Sequence, residues 1–473
     1  MSQIVVVGGG TSGFAAAIAA ARAGAKVTLL EQSSYLGGTM TGGLVPGLVS
    51  LRHQPWRDEE TLVQMESLYS GDQVVRGIAQ ELVDRLVRVG GAYGHEGESP
   101  VRVLFDQELA KAVIDAMVRE AGVEVLFQTK VIGVTRDANR VTGVRYNYDQ
   151  TLPADVVIDA TGDGHVAWLA GADFEQGERG DATYVQPMTM YFLMGGVELR
   201  RTVDYISAHP DEFTPAYIRK LRELFEDGKP LTIIALPSLR EKAIAAGDYP
   251  VPYGATSVNP RAHLSIFRPV FRSGKVLHDV TMHNVDMAYR VDATDLAQLS
   301  SAISSMRDFT VRIAGFFRKY VPGFEKAYLF QIADAVGVRE TRRIVGDYML
   351  TGDDVIEAHT FPDSIGYCGA TVDVHNVEGG REKTRMTAIK DGRLYQIPYR
   401  ILLPKGIEGL MVAGRCVSAD RTACGSIRQQ AGCIVTGQAA GAAAALAVRH
   451  RTTPRALAVA EVQAVLRTQG AIV

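Results

Sequence analysis

The sequence predicts an α/β protein: a parallel sheet laid down in β-α-β order and built from both ends of the chain, with an α+β domain inserted between them. Three observations predict this. Ile4-Val5-Val6-Val7 is a continuous apolar run, Phe14 to Ala21 is a helix of small residues, and Ala25-Lys26-Val27-Thr28-Leu29-Leu30 is a second apolar run. Near the other end, Gly409-Leu410-Met411-Val412-Ala413-Gly414-Arg415 repeats the strand pattern, and Gly425-Ser426-Ile427-Arg428-Gln429-Gln430 is expected to open a long helix through Gly441. Continuous apolar strands alternating with helices are the signature of a sheet covered on both faces.

The junction between the first strand and the first helix carries the chemistry. Gly8-Gly9-Gly10-Thr11-Ser12-Gly13 fills the G-x-G-x-x-G template through Gly8, Gly10 and Gly13. Gly8 permits the tight turn, Gly10 lets a pyrophosphate approach the backbone, and Gly13 lets helix and strand pack closely. The N–H groups of the first helical turn, at Thr11 and Ser12, then face the phosphates. Glu31, followed by Gln32, stands at the end of the second strand about twenty residues on, where an acid accepts hydrogen bonds from an adenosine ribose and repels a 2′-phosphate. A Rossmann-like dinucleotide site follows from strand, turn, helix and acid taken together.

Composition bounds the rest. At 473 residues the chain has enough sequence for two or three domains, and its net charge of −3 gives no electrostatic case for nucleic acid or an acidic membrane surface. Cys368, Cys416, Cys424 and Cys433 have neither C-x-x-C spacing nor a histidine pattern, so no metal is expected and free thiols in a reducing compartment are. Only Met1-Ser2-Gln3 precede the first strand, which makes a cytoplasmic location the expectation. The alanine-rich stretch Ala439 to Val448 is shorter than the roughly twenty residues of a membrane span and is expected to pack inside the protein. A monomer or a homodimer is compatible with this composition.

Further along, Phe105-Asp106-Gln107 precedes a helix to about Ala121, followed by strands at 122–127 and 130–134. An apolar strand, Asp155 to Asp159, then runs into Ala160-Thr161-Gly162-Asp163-Gly164. This succession resembles the FAD-binding half of the glutathione-reductase-like flavoproteins. Over nearly its whole length the chain is similar to the bacterial FAD-dependent oxidoreductase family, related to the succinate dehydrogenase and fumarate reductase flavoproteins. The motifs that carry the resemblance are Leu36-Gly37-Gly38-Thr39-Met40-Thr41-Gly42-Gly43, Gly337 to Tyr348, Val372-Asp373-Val374-His375-Asn376, and Ile397-Pro398-Tyr399-Arg400 with Gly414-Arg415-Cys416.

The resemblance implies FAD as cofactor. It implies contacts from Gly38, Thr39, Met40, Thr41, Gly42 and Gly43, from Val131 beside the adenine, and from the returning strand end at Ala160, Thr161 and Gly162. It further implies Gly414, Arg415, Ser426, Ile427 and Arg428 around the isoalloxazine, whose reduced form a helix N-terminus stabilises. Domain boundaries follow: a discontinuous FAD-binding domain at 1–170 and 340–473, and an α+β substrate or cap domain at 171–339. Residues 45–100 are expected as an excursion from the first of these, with a loop at Gln54-Pro55-Trp56-Arg57-Asp58 and a helix from Arg76 to Val89 presenting Ile78, Leu82, Leu86 and Val89.

No second glycine fingerprint occurs, so a single dinucleotide is expected. The reaction most compatible with this is removal of a hydride from a small organic substrate, at CH–OH, CH–NH or CH–CH, onto flavin N5, with reoxidation by dioxygen or another acceptor. A fumarate-reductase-like C=C reductase with Arg400 or Arg428 as proton donor is the alternative within enzymes, and a non-catalytic flavoprotein subunit or redox sensor is the alternative outside them. For proton transfer the candidate is His375, as a neutral imidazole base oriented by Asp373. Tyr399 and Arg400 are the companion catalytic candidates, with Arg400 able to hold a carboxylate bidentately. Arg339, Glu340, Arg342 and Arg343, if helical, place Arg339 and Arg343 on one face, where the arginines address an anionic substrate or, the favoured reading, pin the two domains together. Cys416, Cys424 and His53 are the positions where a covalent flavin link is conceivable, and Tyr184, Tyr191 and Tyr253 are the tyrosines available to line a substrate pocket.

Overall fold

A computed structural model describes residues 3–51, 73–93, 102–178, 181–234, 236–255, 265–375, 377 and 385–473. Its centre is a five-stranded sheet. Strand β1 (Gln3–Val7) lies between Val156–Asp159 and β2 (Lys26–Leu30); Glu124–Leu126 extends the sheet beyond β2, and Leu410–Val412 extends it beyond Val156–Asp159. Every neighbouring pair is parallel, in the register Ile4 to Val27 on one side and Ile4 to Val156 on the other. Ile4, Val5 and Val6 are fully buried, which is what an uninterrupted apolar run becomes when both faces of the sheet are covered.

Helix α1 (Thr11–Arg22) covers one face together with the long helix Gln430–His450. A Cβ on Gly437 would stand 2.1 Å from the Ser12 carbonyl oxygen, and one on Gly441 2.1 Å from that of Ala16. Both contacts advance by one helical turn along each helix, so the two run parallel, at a spacing that only glycine permits. The long helix has the length and apolarity of a membrane span, but 89% of its apolar window is buried within the protein. It is a core helix, longer than the Ala439 to Val448 stretch alone indicates. The expected opening at Gly425 is also corrected: Arg421–Ile427 is a separate helix capped by Asp420, which accepts the Ala423 N–H at 2.7 Å, and extended backbone at Gln429 separates it from Gln430.

Buried apolar side chains form two clusters. One draws on residues from Ile4 to Ala172 and again from Ile344 to Leu466. The other comprises Leu44 and residues between Met188 and Ala333. The second is built on an antiparallel sheet in which Lys275–Ala288 pairs with Ser265–Arg272, Met188–Thr189 and Phe192–Gly195, while Tyr328–Ile332 pairs with Phe192–Gly195. Helix Leu296–Tyr320, capped by Asp295 through the Ala297 N–H at 2.9 Å, packs against it.

Helix Ile78–Arg88 buries Ile78, Leu82 and Leu86 as the spacing predicts, whereas Val89 follows its last turn and is half exposed. The Gln54 to Asp58 loop and His53 lie outside the described residues. Residues 338–342 are not helical; the segment is extended and leads into the short strand Arg343–Ile344, which pairs with Phe174–Glu175. The helix expected here is therefore corrected, and the two arginines serve different partners: Arg339 meets Asp286 at 3.2 Å, whereas Arg343 pairs with Glu340 at 2.6 Å and Glu175 at 3.4 Å.

Candidate functional site

The glycine turn has the geometry its template demands. Gly8 has φ +94°, and a Cβ there would lie 2.6 Å from the Ala160 carbonyl oxygen; one on Gly13 would lie 1.7 Å from that of Gly8. Gly10 differs: its backbone is extended, with φ −67° and ψ −169°, and a Cβ would meet nothing within 4 Å. Among the described residues nothing requires glycine at 10, and the open space above it has the form of a cradle that a pyrophosphate would fit. The Leu36–Gly43 motif folds against the same turn. Gly37 N–H donates to the Gly9 carbonyl at 2.8 Å, Gly38 to Met40 form a 3₁₀ turn, and the Thr41 hydroxyl donates to the Leu36 carbonyl at 2.5 Å. A Cβ on Gly42 would collide with the Tyr35 ring and one on Gly43 with the Thr39 backbone, and the Gly42 carbonyl accepts the Ala335 N–H at 3.0 Å.

Glu31 is buried at the end of β2. One carboxylate oxygen accepts the Gly9 N–H at 2.5 Å and the other the Ser33 N–H at 2.7 Å. It braces the glycine turn, and each oxygen keeps a second acceptor position for a ribose hydroxyl. The neighbouring Gln32 is exposed, and Val131 is buried at the start of strand Val131–Asp137, its carbonyl 3.0 Å from His165 Nε2. At the end of strand Val156–Asp159, the buried Asp159 shapes the Ala160–Gly162 return by accepting the Thr161 N–H at 3.0 Å, the Thr161 hydroxyl at 2.7 Å and the Ala167 N–H at 2.9 Å.

Because Ser12 packs on Gly437, helix Gln430–His450 begins about six residues, or ~9 Å, ahead of α1 along their common direction. A dinucleotide seated with its pyrophosphate at the α1 N-terminus has its far half beside the N-terminus of the longer helix. The Gln430 side chain there is buried, and neither its Oε1 nor its Nε2 has a hydrogen-bond partner among the described residues. These orphaned groups and the cradle above Gly10 fit a bound dinucleotide at both ends.

Other expected contacts are occupied by the protein itself. Gly414, at φ +82°, packs on Ser12 and donates its N–H to Thr436 Oγ1 at 3.0 Å. Arg415 bridges Asp163 at 2.7 Å and Thr341 Oγ1 at 2.7 Å. The Ser426 hydroxyl donates to the Ala370 carbonyl and lies 3.0 Å from the Tyr395 hydroxyl, and Ile427 is fully buried. The side chains of Arg415 and Ser426 are thus engaged with the framework, and that of Ile427 is packed within it.

At the seam between the two apolar clusters lies a group that periodicity gives no reason to expect as a unit. Arg339, Asp286, His375, Asp373 and Arg428 form a line of alternating charge, with contacts of 3.2, 3.2, 3.3 and 3.3 Å. Asp286 comes from the antiparallel sheet, Arg339 from the extended connection, Asp373 and His375 from strand Val372–Val374 and its end, and Arg428 from the break before Gln430. Gln186 joins them: its Oε1 accepts the His375 N–H at 3.1 Å and Arg428 Nη2 at 3.4 Å. Burial and Arg339 oppose a charged His375 ring, but Asp373 and Asp286 outweigh them and raise its pKa. Burial also works to raise the Asp373 carboxyl, yet His375, Arg428 and Arg339 hold it well below the usual carboxylate range. With a carboxylate on each ring nitrogen, the surroundings of His375 favour the imidazolium over the neutral imidazole expected.

Tyr399 and Arg400 have other partners. The buried Tyr399 hydroxyl donates to the Pro454 carbonyl at 2.9 Å, and Arg400 pairs with Asp363 at 2.9 Å over the Tyr348 ring. Neither residue belongs to the His375 line, and each side chain has a partner within the fold. Glu340 pairs with Arg343 at 2.6 Å and Arg421 at 3.3 Å, and its carboxylate accepts the Gln186 N–H at 3.1 Å, which pins the connection to both sides. Arg342 lies over the rings of Trp168 and Phe174. Cys416 and Cys424 are free and buried, and burial pushes both thiols up, which disfavours the thiolate a thioether needs. Tyr184 lies under Arg290 and Arg421, Tyr191 is half-buried, and Tyr253 pairs its backbone with Met287.

Comparison with known proteins gives the following. A family model described as FAD dependent oxidoreductase matches residues 3–466. Thiamine thiazole synthase of Aeropyrum pernix is 30% identical over 175 residues, covering 34% of this chain and 54% of that protein; the chain spans about half the length of the curated relative it matches. A geranylgeranyl bacteriochlorophyll reductase-like protein from Thermoplasma acidophilum aligns over 99% of this chain and 83% of its own at 14% identity, with a TM-score of 0.45. The p-nitrophenol 4-monooxygenase of Pseudomonas putida aligns over 98% and 84% at 11% identity, with a TM-score of 0.44.

Proposed function

The chain belongs to the FAD dependent oxidoreductase family, and on that premise we propose that it removes a hydride from a small organic substrate at CH–OH, CH–NH or CH–CH. FAD supplies, when bound, a two-electron carrier that accepts the hydride and is reoxidised by dioxygen or another acceptor. Gly8, Gly10, Gly13, Glu31 and the Leu36–Gly43 motif hold the dinucleotide, and Gln430 and Arg428 face its far end. The single observation behind the reaction is the charged line through His375, placed where both apolar clusters meet beside the Gln430 helix start. We propose residues 1–170 with 340–473 as the FAD-binding domain and 171–339 as the domain that closes over the substrate. A cytoplasmic location belongs to the same reading.

As hydride leaves the substrate, a proton must also leave. With Asp286 on Nδ1 and Asp373 on Nε2, the ring takes that proton by way of the Asp373 carboxylate, and only after losing its own. Oxidation should therefore speed up as pH rises through a value above the ordinary histidine range, because the paired ring titrates high. A second reading has the same observation in its favour: an imidazolium beside Arg428 is a proton donor, which suits C=C reduction. Its rate should fall with rising pH.

Anaerobic titration of the purified yellow protein with alcohols, amines and hydroxy acids, followed by air, tests the first reading. Bleaching by one donor class with the rising pH profile supports it. Photoreduced protein reoxidised by an alkene, and by none of the donors' products, would replace it with the second.

A further inference from the structure

The line Arg339–Asp286–His375–Asp373–Arg428 begins and ends in a cation, so three positive groups share two carboxylates. A carboxylate oxygen lies within 3.3 Å of each ring nitrogen, an arrangement that favours a ring with two N–H donors, the imidazolium. The line is thus one negative charge short, in a place where Gln186, Asp286 and His375 are each at most 5% exposed. An uncompensated buried charge is costly, and a ligand of opposite sign relieves it.

Two donors at the same end of the line show where that ligand binds. Arg428 uses Nη2 on Asp373 and Gln186, but its buried Nε has no acceptor among the described residues. Gln186 Oε1 receives two donors, which fixes the amide orientation and leaves Nε2, also buried, without an acceptor. These two N–H groups, on side chains joined by the 3.4 Å hydrogen bond from Arg428 Nη2 to Gln186 Oε1, ask for a ligand that offers oxygen lone pairs and negative charge. Nearby Glu340 does not fill this role, because Arg343 and Arg421 already claim it.

We propose that Arg428 Nε and Gln186 Nε2 bind the carboxylate of an acid substrate, which makes the oxidised C–H bond one near a carboxylate group. This rests on reading the seam as the substrate side of the FAD site. The carboxylate would complete the alternation of charge and dock the substrate by the end opposite Arg339. Gln186, which meets both His375 and Arg428, would then couple substrate position to the proton-handling ring.

The test uses the oxidised holoenzyme and simple probes: acetate, oxalate and benzoate, with acetamide as the neutral control, followed by perturbation of the visible flavin absorption. Saturable perturbation by carboxylates and none by acetamide is expected. Gln186→Glu keeps the oxygen that receives the His375 N–H but replaces the donor with an anion, so carboxylate affinity should fall at least tenfold with FAD still bound. Gln186→Leu should weaken it less. Equal perturbation by acetate and acetamide, or undiminished carboxylate affinity in FAD-loaded Gln186→Glu, would overturn the proposal. The two failures are distinguishable: carboxylate binding with no donor that bleaches the flavin sinks the oxidase reading alone, whereas bleaching by neutral donors without carboxylate binding sinks this one alone.

Discussion

Gly437 lies directly against Ser12, and a Cβ on Gly437 would come within 2.1 Å of the Ser12 carbonyl oxygen. That contact joins positions 425 residues apart and sets how far the second helix projects beyond the first. Gly437→Val forces the helices apart. It should cost about 1–3 kcal/mol in a thermal or denaturant melt and lower FAD occupancy, because overpacking at a close helix crossing shifts backbone.

Gly10 and Gly13 should behave in opposite ways. Gly10→Val enters open space on extended backbone, so the variant should melt like the native apoprotein yet purify colourless. Gly13→Ala drives a methyl to 1.7 Å from the Gly8 carbonyl and should lose stability whether or not FAD is supplied. A yellow Gly10→Val protein would show that the pyrophosphate does not pass over this turn.

Glu340 has no exposed side-chain surface and serves two arginines. Glu340→Gln removes the one fully buried carboxylate between these cations, leaving Arg343 only the half-exposed Glu175 at 3.4 Å and Arg421 only the half-exposed Glu178 at 2.7 Å, and should destabilise the fold by roughly 2–3 kcal/mol. Asp149→Asn, which breaks an exposed pair with Arg145, should change stability by less than about 1 kcal/mol, and a chemical melt of the two variants gives the contrast.

His283 is enclosed by Phe192, Phe267, Phe317 and Phe324, and burial lowers its pKa to about 3. The unfolded chain binds this proton near 6.5 while the folded chain does not. Its contribution is complete above 6.5 and is lost as pH falls from there towards 3, with a slope of up to about 1.4 kcal/mol per pH unit. Urea melts across that range should show His283→Phe losing stability less steeply than the native protein.

Tyr399→Phe removes one buried hydrogen bond to Pro454 and should cost on the order of 1 kcal/mol of stability while leaving the rate of flavin reduction unchanged. Stopped-flow reduction measured with the best donor checks it. A rate loss of a hundredfold or more would return Tyr399 to the catalytic group.

The features legible in the amino-acid order were local ones. The apolar runs Ile4 to Val7 and Val156 to Ile158 were readable as buried parallel strands because both of their faces must avoid water. The glycines at 8, 10 and 13 and the acid at 31 were readable because each answers a constraint within one β-α-β unit. Long-range packing fixed the rest. It broke the helix at Gln429, straightened residues 338–342 into an extended connection, and gave Tyr399 and Arg400 structural partners at Pro454 and Asp363. Above all it assembled Gln186, Asp286, Arg339, Asp373, His375 and Arg428, which lie on five separate segments, into one polar line. Periodicity reports which face of an element is apolar. It carries no information about which distant charges will share a buried seam, since those pairings are fixed only when the two clusters close on one another and each charge takes the nearest partner that offsets its loss of water.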